Sequence, residues 1–266
     1  MLARDRPPVN GAARKPDALE AHVPTAADQP QIFDRALLAR RRDRVASGAT
    51  AHGFLLDRVA DDLAERLAIV QRTLPRAVNI GAAHGTLSRR IAGLAGVTEI
   101  IDVDPSPRLL DRCGGLRVVA DEEALPFAAG SLDLAVSGLA LHLVNDLPGA
   151  LVQIRRALKP DGLLLAALLG GATLTELRQA WLAAEADMSG GASPRVAPFA
   201  DVRDLGALLQ RAGFALPVVD SETVTVTYAT PLDAMREIKA MGASNMLNAR
   251  RRRPVTRRLL SRACEV

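Results

Sequence analysis

The sequence predicts an α/β protein with a doubly wound, mostly parallel sheet of the Rossmann-like kind, preceded by a helical extension. Beyond Pro75, short apolar runs alternate with helical patterns, which is the order of a parallel sheet covered by helices on both faces. These runs are mostly hydrophobic, as expected for strands that are buried in a sheet. With 48% hydrophobic residues in a chain of 266, the protein has enough apolar side chains for one large core.

The N-terminal part divides at about residue 31. Residues 1–31 are rich in proline, alanine and charge and lack periodicity, which predicts a disordered segment. Residues 32–74 predict a helical extension, with a short basic helix over 34–46 and an amphipathic helix over 54–70. Acidic residues in the first segment and the lack of an apolar stretch there argue against a mitochondrial or secretory leader. The default expectation is therefore the bacterial cytoplasm.

Residues 75–230 predict the sheet domain. Buried strands are expected at 77–80, 98–103, 116–119, 132–137 and 162–169. Helices are expected between and after them at 87–94, 107–112, 147–158, 173–186 and 201–212. Alternating valines and threonines predict a further strand over 218–228. Glycine pairs at 170–171 and 190–191 predict the hinges of a lid inserted around 170–200.

Residues 231–266 predict a further helix followed by a basic tail. Seven arginines and one glutamate lie between Ala249 and Val266, a balance of +6; because the whole chain carries +4, the remainder carries −2. This distribution, together with few aromatic residues, argues against a nucleic-acid-binding face on the folded body. Residues 250–253 are expected to be solvated, and contact with anionic lipid at the inner face of the membrane or with an acidic partner stays open.

Membrane-spanning and metal-binding patterns are both lacking in the sequence. No run approaches the roughly 20 consecutive apolar residues of a transmembrane helix. Cys113 and Cys264 have no metal-binding spacing, and no His-x-Asp/Glu pair with a distant third histidine occurs. We therefore expect no transmembrane segment and no bound metal.

The first chemical signal is the stretch "VNIGAAHG", a loop of small residues that follows the first predicted strand. The loop permits close approach of backbone to a ligand at the edge of the sheet where this fold binds ligands, through Gly81, Ala82, Ala83 and Gly85. Two positions depart from the usual pattern of such loops, because Asn79 replaces an acidic residue and Ala83 replaces a glycine. We expect both departures to weaken ligand binding, and Asn79→Asp with Ala83→Gly to strengthen it.

Two further carboxylates are expected at the ends of the next two strands. Asp104 is placed to accept both hydroxyls of a ribose, and Asp121 is placed to accept an adenine amino group, with Glu122 beside it. Ser137 and Leu139, at the end of the fourth strand, complete the predicted pocket. Together these residues describe an adenosine site. Since the chain lacks a G-x-x-x-x-G-K-[ST] phosphate loop, S-adenosylmethionine is favoured over ATP or NAD.

Four stretches of the chain resemble known families. The segment from Asp121 to Gly162, "DEEALPFAAGSLDLAVSGLALHLVNDLPGALVQIRRALKPDG", is similar to class I S-adenosylmethionine-dependent methyltransferases of the type-11 group. Within it, "LALHLVNDLPGAL" resembles the biotin-pathway malonyl carrier-protein methyltransferase. The early "IFDRALLARRRDRVA", the segment from "LLGGATLTELRQAW" to "VTVTY" and the late "MREIKAMGASN" resemble the mitochondrial complex I assembly factor 5 family and its alphaproteobacterial relatives.

That resemblance implies a methyltransferase fold, S-adenosylmethionine as cofactor and a role in assembling respiratory complex I. In that family the implied activity is hydroxylation of an arginine on an iron–sulfur subunit, so the implied partner is a protein substrate. Two alternatives stay open: methylation of a small molecule or a carrier protein, and a non-catalytic assembly chaperone. The one candidate catalytic residue is His142, as a pocket wall or proton acceptor, although a structural hydrogen-bonded role is also open.

The end of the sheet is the part of that fold for which we find no matching sequence. The fold normally has a last strand inserted antiparallel between earlier ones, and no such strand is evident after Tyr228. We therefore expect a sheet that is incomplete or closed by a partner. In the predicted lid, Arg195 is a candidate to meet a carboxylate of the substrate or the cofactor.

Overall fold

One parallel sheet of five strands organises the computed structural model, which describes residues 31–266. The strand order is β3-β2-β1-β4-β5, and all neighbours are parallel. The strands are β1 Arg76–Ile80, β2 Glu99–Asp104, β3 Leu116–Val119, β4 Leu132–Gly138 and β5 Leu158–Ala167. The order reverses between β1 and β4, so the chain diverges there and leaves a crevice at the carboxyl edge of the sheet. The predicted fold class is confirmed. The predicted disorder of residues 1–31 falls, apart from Gln31, outside the described residues.

The helices of the described part agree closely with the sequence pattern. They are α1 Arg35–Val45, α2 Phe54–Ala68, α3 Thr86–Ile91, α4 Pro107–Leu110, α5 Leu147–Ala157, α6 Thr175–Ser189, α7 Val202–Arg211, α8 Pro231–Ala240 and α9 Arg257–Glu265. Side-chain oxygens cap several of their N-termini; Asp34 accepts from the N–H of Leu37 at the start of α1, and Asp146 accepts from that of Gly149 in α5. Within residues 31–266, every helix is too short or too polar to span a bilayer.

The sheet is covered on both faces by apolar side chains. On one face, α2 and α3 bury residues such as Leu63 and Ile91 against β1 and β4. On the other face, α5 buries Ile154 against Val78, Ile80 and Val103. Full burial of each such side chain contributes about 1.5–3 kcal/mol. The core therefore fixes the strands rigidly, and with them the residues at their carboxyl ends.

The prediction of a strand over 218–228 is wrong. This stretch forms no ladder with the sheet. It lies beside α2 instead, where Asp220 pairs with Arg66 at 2.9 Å and Glu222 pairs with Arg58. Val224 is 39% exposed, so the apolar side of the alternating pattern is not covered. A strand needs a neighbouring backbone as well as a pattern, and among the described strands β5 pairs only with β4.

The basic C-terminal stretch is more structured than a solvated tail. Residues 257–265 form α9, which packs Leu259 and Ala263 against Trp181 and Ala184 of α6. Arg250, predicted to be solvated, pairs with Asp34 at 3.0 Å and is only 17% exposed. The prediction of a fully solvated arginine cluster is therefore wrong at Arg250. The buried apolar face of α9 stabilises this stretch by packing against α6. The high number of arginines does not reveal that face.

The segment after α8 holds α1 in place. Phe33, just before α1, forms an antiparallel bridge with Leu247, and both side chains are buried in a small cluster with Leu38. Arg41 of α1 donates from Nη1 to the backbone oxygen of Ser244 at 2.6 Å. The segment after α8 and the start of α1 are therefore joined to each other, and α1 also contacts α4.

Candidate functional site

Three carboxylates meet at the carboxyl edge of the sheet. Asp104 is the last residue of β2, and Asp121 and Glu122 lie just beyond β3. The side chains of Asp104 and Glu122 are fully buried, whereas that of Asp121 is 33% exposed. We call these three residues the carboxylate cluster. The structure brings together the acidic residues that the sequence places at the ends of two successive strands.

Arg42 of α1 bridges two members of the carboxylate cluster. Its Nη1 lies 3.1 Å from Oδ2 of Asp104 and 3.0 Å from Oε1 of Glu122, and its side chain is 11% exposed. Asp104 also accepts hydrogen bonds from the backbone N–H of Ala83 at 3.0 Å and of Ser106 at 2.9 Å. Asp104 therefore joins α1, the loop after β1 and the turn after β2.

Arg35, two turns earlier on α1, binds the rest of the carboxylate cluster. Its Nε donates to Oδ2 of Asp121 at 3.1 Å and its Nη2 donates to Oδ1 at 2.8 Å, a forked arrangement. The same guanidinium contacts Glu122 and donates from Nη1 to the backbone oxygen of Leu143 at 2.9 Å. The two guanidinium groups thus occupy positions at which the carboxylates would accept donors from a ligand.

Burial and neighbouring charges shift the pKa values of these groups in opposite directions. Burial alone would lower the pKa of Arg35 and of Arg42, but the neighbouring carboxylates raise both above the ordinary value, so both arginines stay charged. Burial raises the pKa of Asp104, although the charge of Arg42 opposes that shift. The network is therefore stable only while the charges remain paired, since a buried charge without a partner is strongly unfavourable.

The loop after β1 has the tight geometry that its composition predicts. Gly81 has φ +69°, and a side chain there would overlap Ala140. Only glycine fits this conformation and this contact. Gly85 also has a positive φ, at the start of α3. The loop therefore brings backbone, not side chains, toward the carboxylate cluster.

Asn79 lies inside the protein and does not face the carboxylate cluster. Its Nδ2 donates to Oγ of Ser88 at 2.9 Å and to Oδ1 of Asp102 at 3.1 Å, and Asn79 pairs with Asp102 in the β1–β2 register. Burial raises the pKa of Asp102, while its hydrogen bonds from Ser88 and Asn79 oppose the shift. The sequence reasoning missed this buried triad. A carboxylate at position 79 would stand beside that of Asp102, so Asn79→Asp brings two like charges together.

Ala83 is strained, and its replacement by glycine is expected to stabilise the protein. Ala83 has φ +49°, a left-handed conformation that disfavours a Cβ atom. Ala83→Gly is expected to raise the free energy of unfolding by about 0.5–1 kcal/mol, because strain relief exceeds the added entropy of the unfolded chain. Urea unfolding measures this change. The neighbouring Ala82 is buried without a positive φ, so Ala82→Gly is the matched control and should lower stability; equal effects of the two changes would contradict the strain argument.

The remaining predicted pocket residues take different places. Ala82 packs against Leu110 and Cys113. Ser137 is fully buried and donates from Oγ to the backbone oxygen of Ile80 at 2.8 Å, a bond between β4 and β1. Leu139 has φ +58° at the turn after β4. Strained backbone of this kind is common beside ligand sites, and cofactor contact by these three residues stays a prediction.

His142 lies in the turn after β4 and is held by two contacts. Its Nδ1 accepts from the backbone N–H of Leu169 at 3.4 Å, so the ring proton is on Nε2. Its ring meets that of Phe199 edge-on, with centroids 5.5 Å apart. Burial, reinforced by the charge of Arg42, lowers the pKa of His142 to about 3. A neutral imidazole of this kind is a weak proton acceptor, which favours the pocket-wall interpretation.

The lowered pKa of His142 predicts a pH dependence of stability. The unfolded chain binds a proton below its ordinary pKa of 6.5, whereas the folded chain does so only near about 3. Across that interval the unfolded state binds more protons, so the free energy of unfolding should fall with falling pH, by at most about 1.4 kcal/mol per pH unit. His142→Gln removes this contribution. Urea unfolding at several pH values within the interval should therefore give a flatter profile for the variant, and parallel profiles would contradict the assignment.

Arg195, a candidate to meet a ligand carboxylate, is already paired within the protein. Its Nε donates to Oε1 of Glu185 at 2.9 Å, and its guanidinium lies 4.7 Å from the ring centroid of Trp181. Glu185 is fully buried and also accepts from the N–H of Ser193 at 2.5 Å. Burial alone would raise the pKa of Glu185, but Ser193 and Arg195 hold it below its usual range. Arg195 therefore anchors the loop after α6.

Known proteins share both the sequence pattern and the fold. A family model described as "Methyltransferase domain" matches residues 78–166. The mitochondrial arginine-hydroxylase NDUFAF5 of Danio rerio is 38% identical over 220 residues, which cover 80% of this chain and 68% of that protein. The malonyl-(acyl-carrier protein) O-methyltransferase of Halorhodospira halophila is 39% identical over 223 residues, with coverage of 81% and 74%. The chain spans 64% of the length of the rat NDUFAF5 protein and 64% of the length of the human one.

Solved structures support the same fold. Phosphoethanolamine N-methyltransferase 2 of Haemonchus contortus, solved with phosphomonomethylethanolamine and S-adenosylhomocysteine, aligns with a TM-score of 0.52 at 19% identity, covering 66% of this chain and 44% of that one. At such identity the likeness shows the fold alone. Within residues 31–266 no group of three or more metal-binding side chains is placed to hold an ion. From the identity and coverage of its relatives, the chain belongs to the class I S-adenosylmethionine-dependent methyltransferases and is related to the arginine hydroxylase NDUFAF5.

Proposed function

We propose that the chain binds S-adenosylmethionine at the carboxylate cluster. The observation that carries this proposal is the set of donors on the cluster: guanidinium N–H groups bind Asp104, Asp121 and Glu122. Ribose hydroxyls and an adenine amino group are donors of the same kind, so the cluster has the acceptors that an adenosine needs. Because Asp104 and Glu122 are fully buried, Arg35 and Arg42 must leave the carboxylates before the cofactor can bind.

Each part of the site would then have one task. Asp104 would hold the ribose hydroxyls, Asp121 would accept the adenine amino group, and the backbone at Gly81 would approach the ligand without a side chain between them. When bound, S-adenosylmethionine supplies an electrophilic methyl carbon on a sulfonium centre. For methyl transfer the protein contributes mainly proximity and orientation. The neutral ring of His142 would form a wall near the ends of β4 and β5.

We propose further that the substrate is a protein side chain, as for the relatives named arginine-hydroxylase. Support comes from identity of 36–38% over 80–90% of this chain. The resemblance noted in the sequence points to an iron–sulfur subunit of respiratory complex I as the partner. Methylation of a carrier protein is the corresponding activity of the second group of relatives, by their names.

A non-catalytic assembly chaperone is the second candidate, and one observation favours it. Arg35 and Arg42 pair with all three members of the carboxylate cluster and so fasten α1 to the sheet, which is a structural role for the cluster. Such a protein would keep the methyltransferase fold without cofactor affinity. The two candidates therefore differ first in whether S-adenosylmethionine binds.

Calorimetric titration with S-adenosylmethionine and S-adenosylhomocysteine tests the first proposal. Saturable heat is the expected result, and no heat at millimolar ligand would leave only the chaperone. If the cofactor binds, mass spectrometry of complex I subunits from a strain that lacks the gene separates the activities. Loss of one oxygen from a subunit indicates hydroxylation, and loss of one methylene indicates methylation. Unchanged subunits with failed assembly would support the chaperone instead.

A further inference from the structure

A groove beside α6 lies apart from the carboxylate cluster. It follows the loop after β5 and the loop after α6, and consists of two adjoining cavities of about 480 Å³ and 140 Å³. Both cavities share Arg178, Pro194 and Val196. We call this the Arg178 groove; its lining also includes Gly171, Trp181 and Phe199.

Among residues 31–266, Arg178 is the cation of the groove that has no acidic partner. Its guanidinium contacts only backbone oxygens, those of Ala197 at 3.2 Å and of Gly171 and Thr173 at 3.5 Å. Across residues 31–266, no carboxylate forms a salt bridge with it, in contrast to the neighbouring Arg195. Carbonyl oxygens orient a guanidinium but do not balance its charge. Arg178 therefore leaves one unmatched positive charge in the groove.

The other charged residue that lines the groove is balanced. Arg195 is paired with the buried Glu185, as described above. Farther along α6, Asp187 is paired with Arg262 of α9 at 2.8 Å. The walls beside Arg178 are apolar side chains of Pro194, Val196 and Phe199. A cation among apolar walls attracts an anion more strongly than a cation in open water does.

We propose that the Arg178 groove binds a carboxylate carried on an apolar chain. The carboxylate would pair with Arg178, and the chain would lie along Pro194, Val196 and Phe199. One unmatched positive charge suits one carboxylate, whereas a phosphate dianion would leave a negative charge among apolar walls. Phe199 touches His142 beyond β4, so the groove begins at the carboxyl edge of the sheet. The proposal does not depend on S-adenosylmethionine binding, because the groove and the carboxylate cluster share no residue.

Intrinsic tryptophan fluorescence can report binding in this groove. Trp181 is the single tryptophan and lines the smaller cavity. Titration of the full chain with hexanoate, hexanamide and acetate, followed by tryptophan fluorescence, tests both parts of the proposal. Hexanoate should bind at least about tenfold more tightly than the neutral hexanamide, because the amide oxygen still accepts from Arg178 but carries no negative charge to pair with it. Hexanoate should also bind more tightly than acetate, which lacks the apolar chain.

Variants test whether Arg178 causes the preference for hexanoate over hexanamide. Arg178→Gln should abolish the preference for hexanoate over hexanamide, and Arg178→Lys should restore part of it. Arg155→Gln is the matched control, since Arg155 also donates only to a backbone oxygen, that of Gly213, but lies outside the groove. Equal binding of hexanoate and hexanamide by the unmodified chain would overturn the proposal, whether or not Arg178→Gln folds. An unchanged preference in a folded Arg178→Gln variant would overturn it as well.

Discussion

Replacement of Arg42 by methionine is expected to lower the free energy of unfolding by about 3–5 kcal/mol, the usual loss when one partner of a buried ion pair is removed. Methionine fills a similar volume but leaves Asp104 buried without a charged partner, since Arg35 contacts only Asp121 and Glu122 of the carboxylate cluster. The loss should become smaller at low pH, where Asp104 takes up a proton and no longer needs a cation. Urea unfolding at neutral and acidic pH measures both effects.

Arg44 offers a matched control on the same helix. It is exposed, so Arg44→Met should change stability by no more than about 0.5 kcal/mol. A loss below about 1 kcal/mol for Arg42→Met, or a loss equal to that of Arg44→Met, would contradict the buried network. Circular dichroism should show that both variants keep the fold, because such losses are usually smaller than the total stability of a domain.

Most strands of the sheet could be predicted within a few residues because their apolar runs are buried in the core beneath the helices. In Leu132–Gly138, four of the seven residues are apolar and every position except Asp133 is buried, as expected for a central strand of a parallel sheet. The stretch over 218–228 shows the limit of the same argument. Its alternation is typical of a strand, but pairing is a tertiary property, and its acidic residues bind α2 instead of a neighbouring strand. The local sequence pattern does not determine whether the stretch pairs with a strand or binds a helix.

The acceptors of the candidate site could be predicted, but their partners could not. Asp104 and Asp121 follow apolar runs directly, so parallel topology places them at one edge. Arg35 and Arg42 lie in a helix with several other arginines, which resembles a solvated basic helix. A signal was nevertheless present, because residues seven apart share one helix face, and Leu38 lies between them on that face. Leu38 is almost completely buried, so that face of α1 points inward.

The position of α1 also explains why distant parts of the chain carry the family resemblance. The segment "IFDRALLARRRDRVA" contains α1, and "MGASN" lies in the segment that holds α1 from outside. These two stretches are more than 190 residues apart in the chain. Their contact can be seen only in the folded protein, where Arg41 of α1 donates to the backbone oxygen of Asn245 and Arg42 of the same helix binds Asp104. The resemblance therefore includes the helix that binds the carboxylates and the segment that holds this helix, not the glycine-containing loop alone.

S-adenosylmethionine and Arg42 are expected to compete for Asp104, so two substitutions should change cofactor affinity in opposite directions. Asp104→Asn removes the charged acceptor for the ribose and should weaken binding by about tenfold or more, the usual loss for a hydrogen bond to a charged group. Arg42→Met removes the competing donor and should tighten binding, also by about tenfold. Calorimetry with S-adenosylhomocysteine measures both, with Arg44→Met as the control that should bind like the unmodified chain.

The direction of the Arg42→Met effect decides between the two proposed functions. If the carboxylate cluster is a cofactor site closed by α1, loss of Arg42 exposes acceptors that the cofactor then satisfies, and the bound cofactor should also recover part of the lost stability. If the cluster only holds α1 onto the sheet, loss of Arg42 weakens the fold and the cofactor recovers nothing. A variant that is destabilised and binds no S-adenosylhomocysteine would therefore support the chaperone. A variant that is destabilised alone but stabilised by the ligand would support the enzyme.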